Sequence, residues 1–149
     1  MYRKEDSENL SVDRLFVRVV HLHRNRARKL YHSLGLHRGQ PGILKLLWDN
    51  DGLKQKEIAN YRNLQPATVT RMLQRMEKKG FIYREQDTED MRVSRIYLAD
   101  HGKEVKEELE KKIQQLEQET YANFSEEEMT LMRKFLLMME ENLHKVQDE

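Results

Sequence analysis

Only two prolines stand in this 149-residue chain, and each falls where a helix can begin. Proline lacks an amide donor and its ring clashes with the preceding turn, so a helix tolerates it only in its first turn. Pro41 and Pro66 therefore mark helix starts, and with just six glycines besides long stretches are free of breakers. This argues for long helices and against a many-turned β-protein. Apolar residues make up 38% of the chain and charged residues 36%, against the usual ~45–50% and ~25%. A chain this polar either exposes solvated helices or shares a core with a second copy. There is no cysteine, which removes disulfides, thiolate metal ligands and thiol nucleophiles, and agrees with a reducing compartment. No apolar run reaches the ~18 residues of a membrane span, and the opening MYRKEDSENL does not read as a signal peptide. The expectation is a cytoplasmic protein with no membrane partner.

Apolar spacing then places the helices. Over residues 11–34, Val12, Phe16, Val19, His23, Ala27, Leu30 and Leu34 recur at steps of three and four, one stripe on one helical face. Gly35 ends that helix. A second is expected at about 38–49, burying Ile43, Leu44, Leu47 and Trp48, and Asp49–Gly52 reads as a turn. A short helix follows over 54–60, with Ile58 and Ala59 inward. After a connection at 61–65, Pro66 opens a helix to about residue 79 that turns Val69, Leu73 and Met76 inward and is capped by Gly80. Its other faces carry Thr68, Thr70, Arg71, Gln74 and Arg75. Two short helices, the second rich in groups that hydrogen-bond base edges, meet the requirements of a helix-turn-helix.

Residues 81–84 and 93–98 are β-branched and aromatic and read as strands around the polar loop 86–92. A helix-turn-helix followed by a hairpin is a winged helix, whose tip can carry a cation to the minor groove. In the last third, Val105, Leu109, Ile113 and Leu116 form one narrow seam. Ser125 and Glu128 form a capping box before another, with Met129, Met132, Phe135 or Leu136, Met139, Leu143 and Val146. Such narrow seams find too little partner surface in one small domain, so pairing with a second copy is expected. The fold class is thus mainly α in a single domain, 1–149: a winged helix-turn-helix DNA-binding lobe at 38–100 and dimerisation helices at 1–34 and 101–149. Phe16, Met132, Phe135, Met139 and Leu143 are expected at the dimer seam.

The net charge of +1 conceals a gradient. Residues 11–53 hold eight Lys or Arg against three Asp or Glu, residues 54–97 hold ten against six, and residues 98–149 hold seven against fourteen. A basic front joined to an acidic tail suggests a face for a polyanion.

The order of elements and the motifs of residues 64–102 resemble the MarR family of transcriptional regulators. Thr68-Val69-Thr70-Arg71 matches its recognition helix, Met76-Glu77-Lys78-Lys79-Gly80-Phe81-Ile82 the end of that helix, and Asp87-Thr88-Glu89-Asp90-Met91-Arg92 its wing. Ala99 departs from the threonine usual there, and Asp100 is expected to supply the cap instead. The resemblance implies a homodimer on a pseudo-palindromic operator of double-stranded DNA, usually a repressor, released by a small anionic or aromatic effector.

For groove contacts the candidates are Gln65, Thr68, Thr70 and Arg71, since arginine binds guanine bidentately, glutamine adenine, and threonine a thymine methyl or a phosphate. Arg75 and Lys56 suit the phosphate backbone, and Arg92 the wing tip. Arg84 is expected to pair with Asp90 and brace the wing. His21 and His23 cannot share a metal ion, because residues two apart point to different sides of a helix. His101 with Glu104 or Glu108 has usable spacing, but solvated helices present such pairs constantly, and no metal or cofactor is expected. Without a phosphate loop, nucleophile elbow or buried carboxylate pair, no enzyme is expected either. The rival from another class is a winged helix that docks protein in place of DNA. Against it stands the placement of Arg71, Arg75, Arg92 and Arg95 on elements that would face DNA.

Overall fold

A computed structural model describes residues 10–147. The chain divides into two compact units, residues 1–116 and residues 117–149, and each is taken by itself. In chain order the elements are α1 (Val12–His32), α2 (Gln40–Asp49), β1 (Leu53–Lys54), α3 (Gln55–Tyr61), α4 (Pro66–Lys78), β2 (Ile82–Gln86), β3 (Ser94–Leu98), α5 (Asp100–Glu104), α6 (Lys106–Thr120) and α7 (Glu126–Gln147).

In the first unit the core gathers Ile43, Leu44 and Leu47 of α2, Ile58 and Ala59 of α3, and Val69, Leu73 and Met76 of α4. Phe81, Ile82, Ile96 and Leu98 close it from the sheet. These are the residues that the apolar spacing turns inward. The same core also takes Leu36, Val105 and Leu109, so the start of α6 packs on the winged lobe, in a region assigned from sequence to dimerisation. Trp48 is half-buried, and its indole Nε1 donates to the Gly102 carbonyl at 2.9 Å. That bond ties α2 to α5.

The helix expected from residue 38 begins at Gln40, because Gly39 takes a left-handed φ of 83° at the N-cap and Pro41 occupies the first turn. The α3–α4 turn depends on Asn63, whose φ is 47°. Asn63 N donates to Asn60 O and Leu64 N to Ala59 O, so a left-handed residue satisfies the last carbonyls of α3. Gly80 does the same for α4 with φ 76°. Its N–H donates to Glu77 O and that of Phe81 to Met76 O, at 2.9 and 3.0 Å, while Phe81 and Met76 both bury their side chains.

The sheet runs β1-β3-β2, antiparallel throughout, with Leu53 opposite Ile96, Ile82 opposite Leu98 and Arg84 opposite Ile96 from the other side. β1 was not foreseen, since two residues are too few to show periodicity. Asp100 is not the cap of α5. Ala99 holds that position with no side-chain bond, and Asp100 is the first helical residue; the Ala99 N–H is spent on Phe81 O at 3.1 Å.

Ser11 caps α1, accepting from the Arg14 N–H at 3.3 Å. Leu30 is its only buried residue, and Val12, Phe16, Val17, Val19 and Leu22 stand exposed. In the second unit the capping box forms as expected. Ser125 N donates to Glu128 Oε2 at 2.8 Å and Glu128 N to Ser125 Oγ at 3.2 Å. No described side chain of α7 is buried. Met132 and Met139 are half-exposed, and Phe135, Leu136, Leu143 and Val146 are exposed.

Candidate nucleic-acid interface

The second helix of the helix-turn-helix is α4. Pro66 sets its first turn, and Gln65 at the N-cap makes no capping bond with its side chain and is exposed at the helix entrance. With Val69, Leu73 and Met76 turned inward, the 100° step per residue puts Arg71, Gln74, Arg75 and Lys78 on the opposite, exposed face. Thr68 is half-buried on the flank of that face. Arg71 Nε donates only a long 3.4 Å bond to Ala67 O within its own helix. Lys56 is exposed on α3. Thr70 sits differently. Its hydroxyl donates to Pro66 O at 3.0 Å and accepts from Gln55 Nε2 at 2.6 Å.

The wing loop between β2 and β3 is organised by Asp87, whose side chain is 1% exposed. Its Oδ1 accepts from the backbone N–H groups of Glu89 and Asp90 at 2.9 and 3.1 Å, and its Oδ2 accepts from Arg95 Nε. Arg95 Nη1 goes on to Gly52 O at 2.9 Å, and Lys54 Nζ lies 3.9 Å from the same carboxylate. One buried carboxylate thus folds the loop and anchors it to β1. At the tip Asp90 grips Arg92 through two side-chain bonds, Nε to Oδ1 at 3.0 Å and Nη2 to Oδ2 at 3.3 Å. The Arg92 side chain is 89% exposed, so the guanidinium is held in one orientation and presented outward. The Arg92 bonds keep the Asp90 carboxyl below the ordinary carboxylate range.

The expected Arg84–Asp90 brace does not form. Asp90 is occupied by Arg92, two residues on, while Arg84 lies on β2, which packs on α4. Its Nε meets Glu77 Oε2 at 3.1 Å and its Nη1 meets Gln55 Oε1 at 3.1 Å. Arg95, named from sequence among the cations facing DNA, is instead committed to Asp87 and Gly52. Of the histidines, His101 stacks on Phe81 with ring centroids 4.4 Å apart, and His21 bonds Asn25 at 2.8 Å. Among the described residues no three His, Asp or Glu side chains converge as a metal site would require.

Residues 36–94 match the model of the MarR family. The chain is 31% identical over 113 residues to the helix-turn-helix-type transcriptional regulator YdgJ of Bacillus subtilis strain 168, covering 76% of this chain and 69% of that one. The chain belongs to the MarR family. A second such regulator of the same organism, YwoH, is 32% identical over 103 residues, 69% of this chain and 74% of its own. In three dimensions the chain is similar to MepR of S. aureus, solved as a complex with DNA, at a TM-score of 0.83 and 27% identity, over 90% of this chain and 99% of that one. The winged helix-turn-helix of a MarR regulator is therefore the architecture of this protein.

Within this MarR fold the residues that sequence reading missed are Gln55, Glu77 and the Asp87–Arg95 pair. Asp87 leaves an acid signature. The backbone N–H groups of Asp90 and Glu89, followed by Arg95, hold its carboxyl at about 2 against an ordinary 3.8. A depressed carboxyl contributes stability that is complete above its unfolded pKa and is lost as pH falls through the folded one. The wing should therefore weaken between about pH 4 and about pH 2. Asp87→Asn, which cannot ionise, should be less stable than wild type near neutrality, and the gap should narrow across that window. Urea unfolding at a series of pH values checks it; a gap that stays constant down to the lowest pH would show that Asp87 does not carry the effect.

Proposed function

We propose that this MarR-family regulator works as a homodimer in the cytoplasm. It lays α4 in the major groove and the wing in the minor groove of a pseudo-palindromic DNA operator. The supporting observation is the pairing of an exposed cationic face on α4, Arg71 with Arg75, with an Arg92 fixed at the wing tip by Asp90. Arg71, Gln65 and Thr68 read bases, whereas Arg75 and Lys56 hold phosphates. The resemblance to MepR, seen in complex with DNA, supports the same mode of docking. Phe16 on α1 and Met132, Phe135, Met139 and Leu143 on α7 supply the dimer contact, which the exposure of both helices supports. Family membership supports repression, relieved by a small anionic or aromatic effector and involving no catalysis.

Two recognition helices in successive major grooves require half-sites about 10 bp apart, centre to centre. Arg71→Ala should cost roughly 1–3 kcal/mol for each guanine contact and relax preference at one base position per half-site. Arg92→Ala should weaken binding to many sequences and flatten the salt dependence by nearly one unit of slope per charge neutralised. Neither residue belongs to the core, so both variants should keep the wild-type thermal midpoint. The measurement is affinity for enriched and scrambled duplexes across a salt series. Unchanged affinity in both variants would leave this face without a role in DNA binding and favour a protein-docking winged helix.

A further inference from the structure

Four side chains outside the cationic face join the wing to the recognition helix in a closed circuit. Thr70 of α4 accepts from Gln55 Nε2 at 2.6 Å, and Gln55 is the first residue of α3. Gln55 Oε1 accepts from Arg84 Nη1 on β2 at 3.1 Å. Arg84 Nε returns to α4 at Glu77 Oε2, also at 3.1 Å. Thr70 and Glu77 are seven residues apart, two helical turns, and so lie on one side of α4 about 10 Å apart along its axis. A strand tied to a helix at two points on one side cannot let that helix roll or slide. The Gln55 amide spends both its donor and acceptor ends on the circuit, so it also fixes the tilt of α3. Arg84 Nη2 meanwhile is buried without a hydrogen-bond partner. A buried orphan donor carries a desolvation cost that an apolar residue would avoid, so stability alone is a poor reason to keep arginine here.

We propose that Gln55 and Arg84 are positioning residues that set the register between the α4 reading face and the wing. Thr70 serves the same circuit and is not a base contact. In this arrangement Arg71 and Arg92 reach their two grooves together only while the circuit is closed. The proposal rests on the DNA-binding reading above.

The test uses the full chain, a duplex enriched by the wild-type protein from a random-sequence pool, and a scrambled duplex of the same composition. Gln55→Ala should cut the ratio of specific to scrambled affinity about tenfold, the order of one lost base readout, with scrambled affinity and salt slope unchanged. Thr70→Val should do the same, and Thr70→Ser, which keeps the hydroxyl, should restore the wild-type ratio. The double variant Gln55→Ala with Thr70→Val should lose no more than either single one, as members of one circuit do. Arg84→Ala should lower the ratio at constant slope. A phosphate contact would instead lower both affinities together and reduce the slope by about 0.9. Should Arg84→Ala fail to fold, Gln55→Ala, which removes no charge, decides the matter. An unchanged ratio in Gln55→Ala, or additive losses in the double variant, would overturn the proposal while leaving DNA binding intact. Failure of the wild type to enrich any duplex would instead overturn the DNA-binding reading itself, and the proposal with it.

Discussion

Gly102→Ala is expected to destabilise the protein by about 3 kcal/mol, near the upper end for an overpacked core. A methyl group on Gly102 would overlap the carbonyl oxygen of Phe81 and lie 3.1 Å from Leu98 Cδ2. The obstacle is backbone, which has no rotamer to yield. To relieve it α5 must move off the sheet, straining the Ala99 N–H bond to Phe81 O and the Trp48 bond to Gly102 O. A single domain has only about 5–15 kcal/mol in total, so this one methyl group should remove a large share. Gly80→Ala is the control. Its backbone is left-handed, but an added Cβ would meet nothing within 4 Å, so only the dihedral cost of roughly 1–2 kcal/mol applies. Urea midpoints of the two variants separate steric from dihedral strain. Equal losses would mean that the α5–sheet contact can relax, contrary to the geometry.

Leu143→Asp is expected to raise the dimer dissociation constant roughly a thousandfold. In a two-fold interface each substitution acts twice, so about 2 kcal/mol per site becomes about 4 kcal/mol per dimer. Leu143 is 62% exposed in the single chain, so the change should cost the isolated subunit little. Sedimentation should show wild type at twice the 18.0 kDa chain mass, with a thermal midpoint that rises with concentration. The variant should sediment at the chain mass or aggregate. A wild-type chain that sediments alone, with a midpoint independent of concentration, would end the dimer proposal.

Both variants probe features of differing visibility in the sequence. Periodicity exposed the core of α4 because Val69, Leu73 and Met76 obey the 3.6-residue step, and Gly80 announced its end because only a left-handed residue closes a helix in that way. The wing was visible as two β-rich runs, and the motifs that resemble the MarR family run from the recognition helix through the wing. The seam of α6 was visible too, but its partner was not. Spacing shows that Leu109 faces something apolar and is silent on whether that surface lies in the same chain or another. Polar pairings were the least legible. Arg84 and Asp90 are six residues apart in sequence, close enough to suggest a pair. The hydrogen bonds follow the packing of β2 on α4, which delivers Glu77 to Arg84, while Gln55 arrives from α3. Asp87 was legible as a motif position, while its role as the buried centre of the loop depends on Arg95 arriving from the other strand. Gly102 gave no signal, since only the approach of Phe81 makes a methyl group intolerable.

The order β1-β3-β2 leaves β2 with one row of backbone N–H and C=O groups facing away from the sheet. A hairpin with an open edge is accessible to every other strand in a crowded cell. Another chain could add itself to that row, and two wings could zip together. The residues along it discourage this. After Ile82 and Tyr83 come Arg84, Glu85 and Gln86, of which Glu85 and Gln86 are exposed, and charged residues along an open edge disfavour its pairing with another strand. The loop that Asp87 folds also ends the strand after five residues. A five-residue edge carrying charged and amide side chains disfavours such pairing, and variants that neutralise Arg84 or Glu85 are expected to form fibres more readily than wild type.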